Sequence, residues 1–394
     1  MRVAIVGGGL GGLAAALLLR RAGVEASVYE QATELREVGA GIVVSPNMVR
    51  PLRRMGLESG LERIAVLLEA AWEFRRWQDG RVLFVQPMGE TCERMYGAPC
   101  YVAHRADLHA LLCAALPPDC LHLSHRCTGI DHGSDEVRLQ FEGPDGAPLQ
   151  VRADVAVGAD GIHSTVREAI FTSAQPQFSG SCAFRCLVPI EHAPEMARRP
   201  VQTLWLGPGR HFVHYPISSG RLVNVVAIVP AGEWRTESWI AEGRLEDLAA
   251  EFEGWDARLR QLIAAARDTR RWALYDRAPL ERWVAGRVAL LGDAAHAMLP
   301  YFGQGAAQAI EDAETLAACL AGCSPASAAE ALLNYERIRQ PRASEIQRMS
   351  RGRELRNHLP DGPEQQQRDQ ELARGDPLRQ SAWLYGHEPG TAMT

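Results

Sequence analysis

Four segments of this chain carry residue types and spacings that could do chemistry. The first is Gly7-Gly8-Gly9-Leu10-Gly11-Gly12, which holds G-x-G-x-x-G at Gly7, Gly9 and Gly12. Gly7 allows a tight turn, Gly9 lets backbone approach a pyrophosphate, and Gly12 lets a helix pack on a strand. A helix N-terminus after such a turn offers free N–H groups and a positive dipole end to phosphate. Glu30 ends the next apolar run, where an acid is placed to accept from a ribose hydroxyl. The second and third segments, Gly158-Ala159-Asp160-Gly161 and Gly292-Asp293-Ala294-Ala295-His296, each follow a short apolar run. Singly, each is an ordinary strand-to-loop turn. The fourth is His211-Phe212-Val213-His214-Tyr215. Side chains alternate along a strand, so His211, Val213 and Tyr215 share one face. His211 and Tyr215 then lie about 13 Å apart, able to flank a ring but not to bond each other. His214, on the other face, reads as structural.

These segments need elements to hold them. Arg2 to Val6, Leu13 to Ala22 and Ala26 to Glu30 read as a βαβ unit around the glycine turn. Met48 to Ala70 has helical character, interrupted near Gly56 and Gly60. Trp72 to Trp77 and Arg81 to Gln86 read as a hairpin around Asp79-Gly80. Ala106 to Leu116 is a helix stopped by Pro117-Pro118. Val137 to Phe141 and Leu149 to Arg152 form a second hairpin. Thr203 to Leu206, His211 to Ile217 and Leu222 to Val229 alternate as in an antiparallel sheet, and Leu245 to Ala266 is helical. Val288 to Leu291 restores a buried strand. Ala326 to His358 is helical, with Pro341 as a kink or break. The Gln-, Arg- and Pro-rich tail beyond it reads as partly disordered or as an oligomer contact.

Composition bounds the rest. The 394 residues carry 42 Lys+Arg against 48 Asp+Glu, and every one of those basic residues is Arg. Without lysine, Schiff-base chemistry and a Walker lysine are excluded. A net charge of −6 gives no basic footprint for nucleic acid. No apolar run reaches the roughly 20 residues of a membrane span. The nine cysteines show no C-x-x-C spacing, and the histidines no ligand spacing, so the expectation is a cytoplasmic protein without a metal site.

Together, in this order, GADGIHSTVR (Gly158 to Arg167), LGDAAHAMLP (Leu291 to Pro300), Gly39-Ala40-Gly41-Ile42 with Pro46-Asn47, and His104-Arg105-Ala106-Asp107-Leu108 resemble the class A flavoprotein monooxygenases, the FAD-dependent aromatic hydroxylases. The resemblance covers roughly residues 2 to 345. It implies an α/β fold: a Rossmann-like FAD-binding domain (1–70, 101–175 and 271–345), an inserted antiparallel-sheet substrate domain (71–100 and 176–270), and a C-terminal helix and tail (346–394). It implies that Glu30 holds the adenosine ribose and that Arg105 reaches the diphosphate or ribityl region. Asp293 would bind ribityl hydroxyls, and Asp160 would brace the pyrophosphate side and serve nicotinamide use. Gly7, Gly9, Leu10, Gly11, Gly12, Gln31, Val43 and Cys127 would complete the FAD contacts. Gly303, Gln304, Gly305 and Ala306 would put a helix N-terminus at the flavin's N1/C2=O edge, where reduced flavin is negative. The bland reading of Arg105 is a surface ion pair with Asp107.

By the same resemblance, NADH or NADPH docks transiently to reduce FAD. O2 then forms a C4a-hydroperoxide that hydroxylates a hydroxylated aromatic or N-heteroaromatic acid, with CO2 lost where the attacked carbon bears the carboxylate. His211 and Tyr215 would bind or deprotonate the substrate hydroxyl, and a homodimer is implied. Within the family the 6-hydroxynicotinate 3-monooxygenases look nearest, yet Val43 and Tyr301 stand at two pocket positions where those carry His. That change alters which ring substituents bind. Arg185 and Arg210 could pair with a carboxylate, although such arginines are more often solvated. Competing readings are a tailoring oxygenase or epoxidase on a larger polyketide, quinolone or alkaloid, an NAD-dependent dehydrogenase, and a non-catalytic escort protein.

Overall fold

The computed structural model describes residues 1–35, 40–133, 135–171, 175–238 and 241–388, so Gly39 of the Gly39-to-Ile42 motif lies outside the described residues. Arg2–Val6 pairs in parallel with Glu25–Tyr29 on one side and with Val155–Gly158 on the other. Val288–Leu290 continues that parallel sheet, Leu121–His122 closes its far edge, and Val284–Ala285 adds an antiparallel edge. The helices Leu10–Arg21 and Gly305–Leu320 bury apolar residues such as Leu13, Leu17, Ile310 and Leu316 in the core formed with this sheet. Strands buried on both faces are continuous apolar runs, and Ala4-Ile5-Val6 and Val155-Ala156-Val157 are such runs.

A second, eight-stranded sheet runs in spatial order 242–243, 269–276, 177–189, 222–230, 210–217, 201–207, 70–76 and 82–87. One face packs on the helices Leu245–Glu251 and Ala257–Ala264 through Phe184, Trp205, Phe212, Phe252 and Trp255. The opposite face is the wall of a cavity. The period-2 expectation therefore holds: Phe212 is in the core, while His211, Val213 and Tyr215 face the cavity. His214 is buried among the core side chains, where desolvation pushes its pKa down to about 3. Both hairpins form as read.

Four sequence readings need correction. The segment from Met48 ends its helices at Ile64, and Val66–Leu67 is a strand on Tyr101–His104. Leu245 to Ala266 is two helices, broken where Gly254 takes φ +78°. Pro341 does not break its helix, which runs over Ala328–Asn357. Tertiary bonds from Arg339, Gln340 and Arg342 fix the helix on both sides of the proline and outweigh the lost N–H. The tail up to residue 388 is ordered, which corrects the disorder reading. Pro363–Arg374, Pro377–Gln380 and Ala382–Tyr385 are helices, and Leu378, Leu384 and Tyr385 are buried beside Tyr96 and Met88. No helix among the described residues is long and apolar enough to cross a membrane.

Candidate active site

The first glycines do what their spacing asks. Gly7 takes φ +107°, and a Cβ there would stand 2.4 Å from the Ala159 carbonyl oxygen. A Cβ on Gly12 would stand 2.0 Å from the Gly7 carbonyl oxygen, so the helix lies directly on the turn. Gly9 differs: a Cβ there meets nothing within 4 Å, because it faces the cavity. Gly9 also caps the helix Leu10–Arg21 without any side-chain bond, leaving its first N–H groups for a ligand. The Glu30 carboxylate accepts from Gly8 N at 2.7 Å and Ala32 N at 2.8 Å, which fixes it beside the turn with lone pairs to spare.

Asp160 is on the cavity wall, but its carboxylate accepts from Ser164 Oγ (2.5 Å) and Val166 N (3.1 Å). It braces the start of the helix Thr165–Ile170, and burial raises its pKa. Arg105 also lines the cavity, where burial lowers its pKa and the facing charge is Asp293. Asp107 accepts from Ser218 Oγ at 2.8 Å, and the charge acting on Arg105 is that of Asp293, which weighs against the surface-pair reading of Arg105. Gln31, Leu10, Gly11 and Val43 reach the cavity as well. Cys127 does not: its thiol points at the Gly129 carbonyl oxygen, 3.7 Å away, near Asp160.

The loop ahead of Gly305–Leu320 brings Gly303, Gly305 and Ala306 to the cavity, opposite the strand Gly41–Val44. Gln304 borders the cavity, yet its amide turns inward, donating to Ser45 Oγ (3.1 Å) and accepting from Asn47 Nδ2 (3.0 Å). Beneath it lies a buried polar network. Glu311 accepts from Asn47, Gln308, Arg339 and Arg342, and Asp312 pairs with His296 (2.6 Å), Arg339 (2.8 Å) and Gly292 N (3.0 Å). Despite burial, these cations hold both carboxyls down to about 2. The network fixes the two turns, Gly292-Asp293 and Gly303 to Gly305, relative to each other. Nothing in the sequence spacing announced it.

Across the cavity stand His211, Tyr215, Arg185 and Trp272. Arg185 lies on the face of Trp272, its guanidinium carbon 3.6 Å from the ring centroid. It is therefore no surface arginine; burial lowers its pKa to about 9, so it stays largely cationic at neutral pH. Arg210 lies off the cavity in an ion pair with Glu251 at 2.5 Å. Tyr215 is buried and its hydroxyl is pushed well above the ordinary phenol range. Tyr301 presents its ring to His211 (centroids 5.6 Å) but donates its hydroxyl to Glu354 Oε1 at 2.6 Å. His211 Nδ1 is 2.7 Å from His358 Nε2 at the end of the long helix, a partner that sequence reading missed.

The far wall is the tail. Leu372, Trp383, Leu384 and Tyr385 line a cavity of about 1230 Å³, larger than the roughly 300–1,000 Å³ typical of a small-ligand site. Arg50 secures this wall by donating to the Tyr385 (2.7 Å) and His387 (2.6 Å) carbonyl oxygens, and Trp72 stacks on Tyr385. Its aromatic residues Trp383 and Tyr385 were the signal available in the sequence.

A dinucleotide-sized cavity that starts at a glycine turn with free helix N–H groups and ends against an aromatic, arginine-bearing sheet is the layout of an oxidoreductase with room for a redox cofactor beside a second pocket. The chain belongs to the FAD binding domain family, which it matches over residues 1–350. It is 45% identical over 387 residues, 98% of this chain and 96% of the relative, to the 3-amino-4-hydroxybenzoate 2-monooxygenase PtmB3 of Streptomyces platensis. It is 37% identical to the 6-hydroxynicotinate 3-monooxygenase of Bordetella bronchiseptica, over 89% of this chain and 90% of that one. The hydroxynicotinate enzymes are therefore not the nearer relatives expected from the motifs. Among solved structures, Klebsiella pneumoniae HpxO complexed with FAD and uric acid superposes with a TM-score of 0.85 at 28% identity, covering 98% of this chain and 96% of that one.

The protein is a class A FAD-dependent monooxygenase, using O2 and a reduced pyridine nucleotide on an aromatic substrate. FAD suits the residues present, since Gly9 opens a space that any side chain would fill and Arg105 is a half-buried cation on the cavity wall.

Proposed function

We propose that the protein hydroxylates a small hydroxylated benzoate, with 3-amino-4-hydroxybenzoate as the first candidate. The observation that carries this is the placement of Arg185 and His211 on one face of the sheet. Arg185 pairs with Val226, which pairs with Val213, two residues from His211. Two strand spacings and two residues put their Cα atoms about 12 Å apart. A benzoate ring fits between side chains reaching inward from those points, its carboxylate toward Arg185 and a ring hydroxyl toward His211. The identity of 45% to a 3-amino-4-hydroxybenzoate 2-monooxygenase, over nearly the whole of both chains, supports the same choice.

Bound FAD supplies the activated oxygen. The chain's own work is to bind, orient and keep dry. Arg185 offers a planar fork to the carboxylate, held flat by Trp272. His211 is neutral because burial drives its pKa well below its ordinary value, so it can accept the hydroxyl proton. Tyr215 keeps its own proton, because burial raises its pKa, and so can donate to the bound ring. The tail wall keeps water from the reacting face. Glu30, Asp293, Arg105 and the backbone of Gly9 and Gly303 to Ala306 would hold FAD. On the candidate ring, carbon 2 bears hydrogen and lies ortho to the amino group, whose lone pair activates it. Oxygen transfer there retains CO2, which sets aside the decarboxylative variant. Walling by the tail favours such acids over large polyketide or alkaloid substrates. The reading includes a cytoplasmic homodimer, the compartment supported by nine free thiols and the dimer by family resemblance alone.

The test is NAD(P)H oxidation and product mass with a panel of amino- and hydroxybenzoates, hydroxynicotinates and larger phenols. The expected result is stimulation by 3-amino-4-hydroxybenzoate with gain of one oxygen and no CO2. Stimulation by a large phenol alone would overturn the small-acid reading.

A further inference from the structure

We infer that His358 is a positioning residue that completes a two-imidazole proton relay with His211, carrying the proton of a ring hydroxyl from the substrate pocket to solvent. The inference rests on the hydroxybenzoate reading above and extends it to a residue outside the cavity wall.

The geometry is specific. His211 sits mid-sheet on the strand Arg210–Ile217 and is 4% exposed. Its Nδ1 is 2.7 Å from Nε2 of His358, so one imidazole donates to the other and Nε2 of His211 is the nitrogen left for the pocket. His358 caps the helix Ala328–Asn357 and is only half-buried. Its position is fixed by its own backbone, because Gly209 N donates to the His358 carbonyl oxygen at 3.0 Å. The turn preceding His211 and the end of the helix are thereby locked in register. Tyr301 flanks both rings, at 5.6 Å from His211 and 6.1 Å from His358.

Charge explains why a second imidazole is needed. Burial makes an imidazolium at His211 costly, so His211 can accept a proton but cannot store it. His358 is also held neutral, by burial and by the nearby Arg210, whose own partner is Glu251. The other group facing the pair is Tyr301, whose hydroxyl is committed to Glu354. No carboxylate is in hydrogen-bond contact with either imidazole among the described residues. Two neutral imidazoles can pass a proton without either holding it. The substrate O–H bond breaks and its proton joins Nε2 of His211. The Nδ1 proton of His211 moves to Nε2 of His358. The Nδ1 proton of His358 leaves to water. One proton is released, the ring oxygen keeps the electron pair, and both imidazoles remain neutral with their tautomers exchanged.

The experiment uses FAD-loaded enzyme and 4-hydroxybenzoate-type ligands in stopped flow, following phenolate absorbance after mixing and proton release with a pH indicator. Two variants are compared, His358→Phe and His358→Gln. Glutamine can still bond His211 and preserve the fold, but it cannot pass a proton. Phenolate formation is expected to slow at least tenfold in both variants, with ligand affinity within about threefold of wild type, and added imidazole should restore the rate. Phenolate formation at wild-type rate in His358→Gln overturns the relay alone. Equal loss of affinity for benzoate and for 4-hydroxybenzoate assigns His358 a packing role and also overturns it. If no hydroxybenzoate gives a phenolate signal in wild type, the substrate reading and the relay fail together.

Discussion

Arg342 grips the buried carboxylate of Glu311 with two nitrogens, Nε at 2.7 Å and Nη2 at 2.9 Å, and donates to the carbonyl oxygens of Trp383 and Leu384 at 2.9 Å each. One side chain therefore ties the network under the Gly303-to-Gly305 loop to the tail segment that lines the cavity. Removing it leaves Glu311 with Arg339 but releases two carbonyls of the tail. We expect Arg342→Ala to lose about 3 kcal/mol of stability. Limited proteolysis should then cut first between residues 375 and 388. The ratio of hydroxylated product to NAD(P)H consumed should fall, because water reaches the reacting face. Unchanged coupling with a freed tail would show that the tail does not exclude water.

Gly9 and Gly12 separate binding from folding. A Cβ at Gly12 collides with the Gly7 carbonyl oxygen at 2.0 Å, so Gly12→Ala should destabilise the FAD-free protein by about 2 kcal/mol. A side chain at Gly9 meets no protein atom within 4 Å. Gly9→Val should keep the apoprotein melting temperature and weaken FAD at least tenfold. Thermal melts of apoprotein and fluorescence titration with FAD distinguish the two. Equal FAD affinity in wild type and Gly9→Val would remove the phosphate role from this turn.

The contrast between these residues shows what a sequence makes legible. Gly7 and Gly12 sit in a strand, a turn and a helix start within a few residues, and Glu30 directly follows the next strand, so spacing alone singles them out, whereas Asp293 came only with the family resemblance. His211 and Tyr215 were legible as one strand face because a strand alternates with period 2. Arg185 was legible only as one candidate beside Arg210, since what sets it apart is Trp272 on a neighbouring strand and not its own neighbours in sequence. His358, Glu354 and the tail helices were missed for the same reason. They meet the pocket over separations of more than 50 residues, and a Gln- and Arg-rich composition reads as solvated until the docking surface is seen. Pro341 works in the opposite sense: the break it allows locally is overruled by buried ion pairs on either side.

Arg185 supplies the sharpest test of substrate orientation. It lies on the Trp272 face and remains largely cationic at neutral pH even though burial lowers its pKa to about 9. A charge-assisted contact to a carboxylate contributes roughly 1.5–3 kcal/mol. Arg185→Gln should therefore raise KM for the benzoate substrate roughly tenfold to a hundredfold. KM for a matching phenol without the carboxylate should not move. A parallel rise for both compounds would mean that Arg185 shapes the pocket without reading the carboxylate.

Glu311 and Asp312 predict how the protein meets acid. Both have folded-state pKa values of about 2, below the ordinary 4.5 and 3.8, because buried arginines and His296 face them. A depressed carboxyl pKa contributes stability that is present above the unfolded value and lost as pH falls through the folded one. The window is therefore from about pH 4.5 down to about 2. Replacing Glu311 by Gln leaves Arg339 and Arg342 without that charge and should cost about 3–5 kcal/mol at pH 7. The variant has no carboxylate to protonate, so the gap between it and wild type should narrow as pH falls from about 4.5 to 2. Urea midpoints at pH 7, 4.5 and 3 measure that gap. Parallel curves would mean that Glu311 titrates alike in the folded and unfolded chain, and that its four hydrogen-bonding neighbours do not hold it charged.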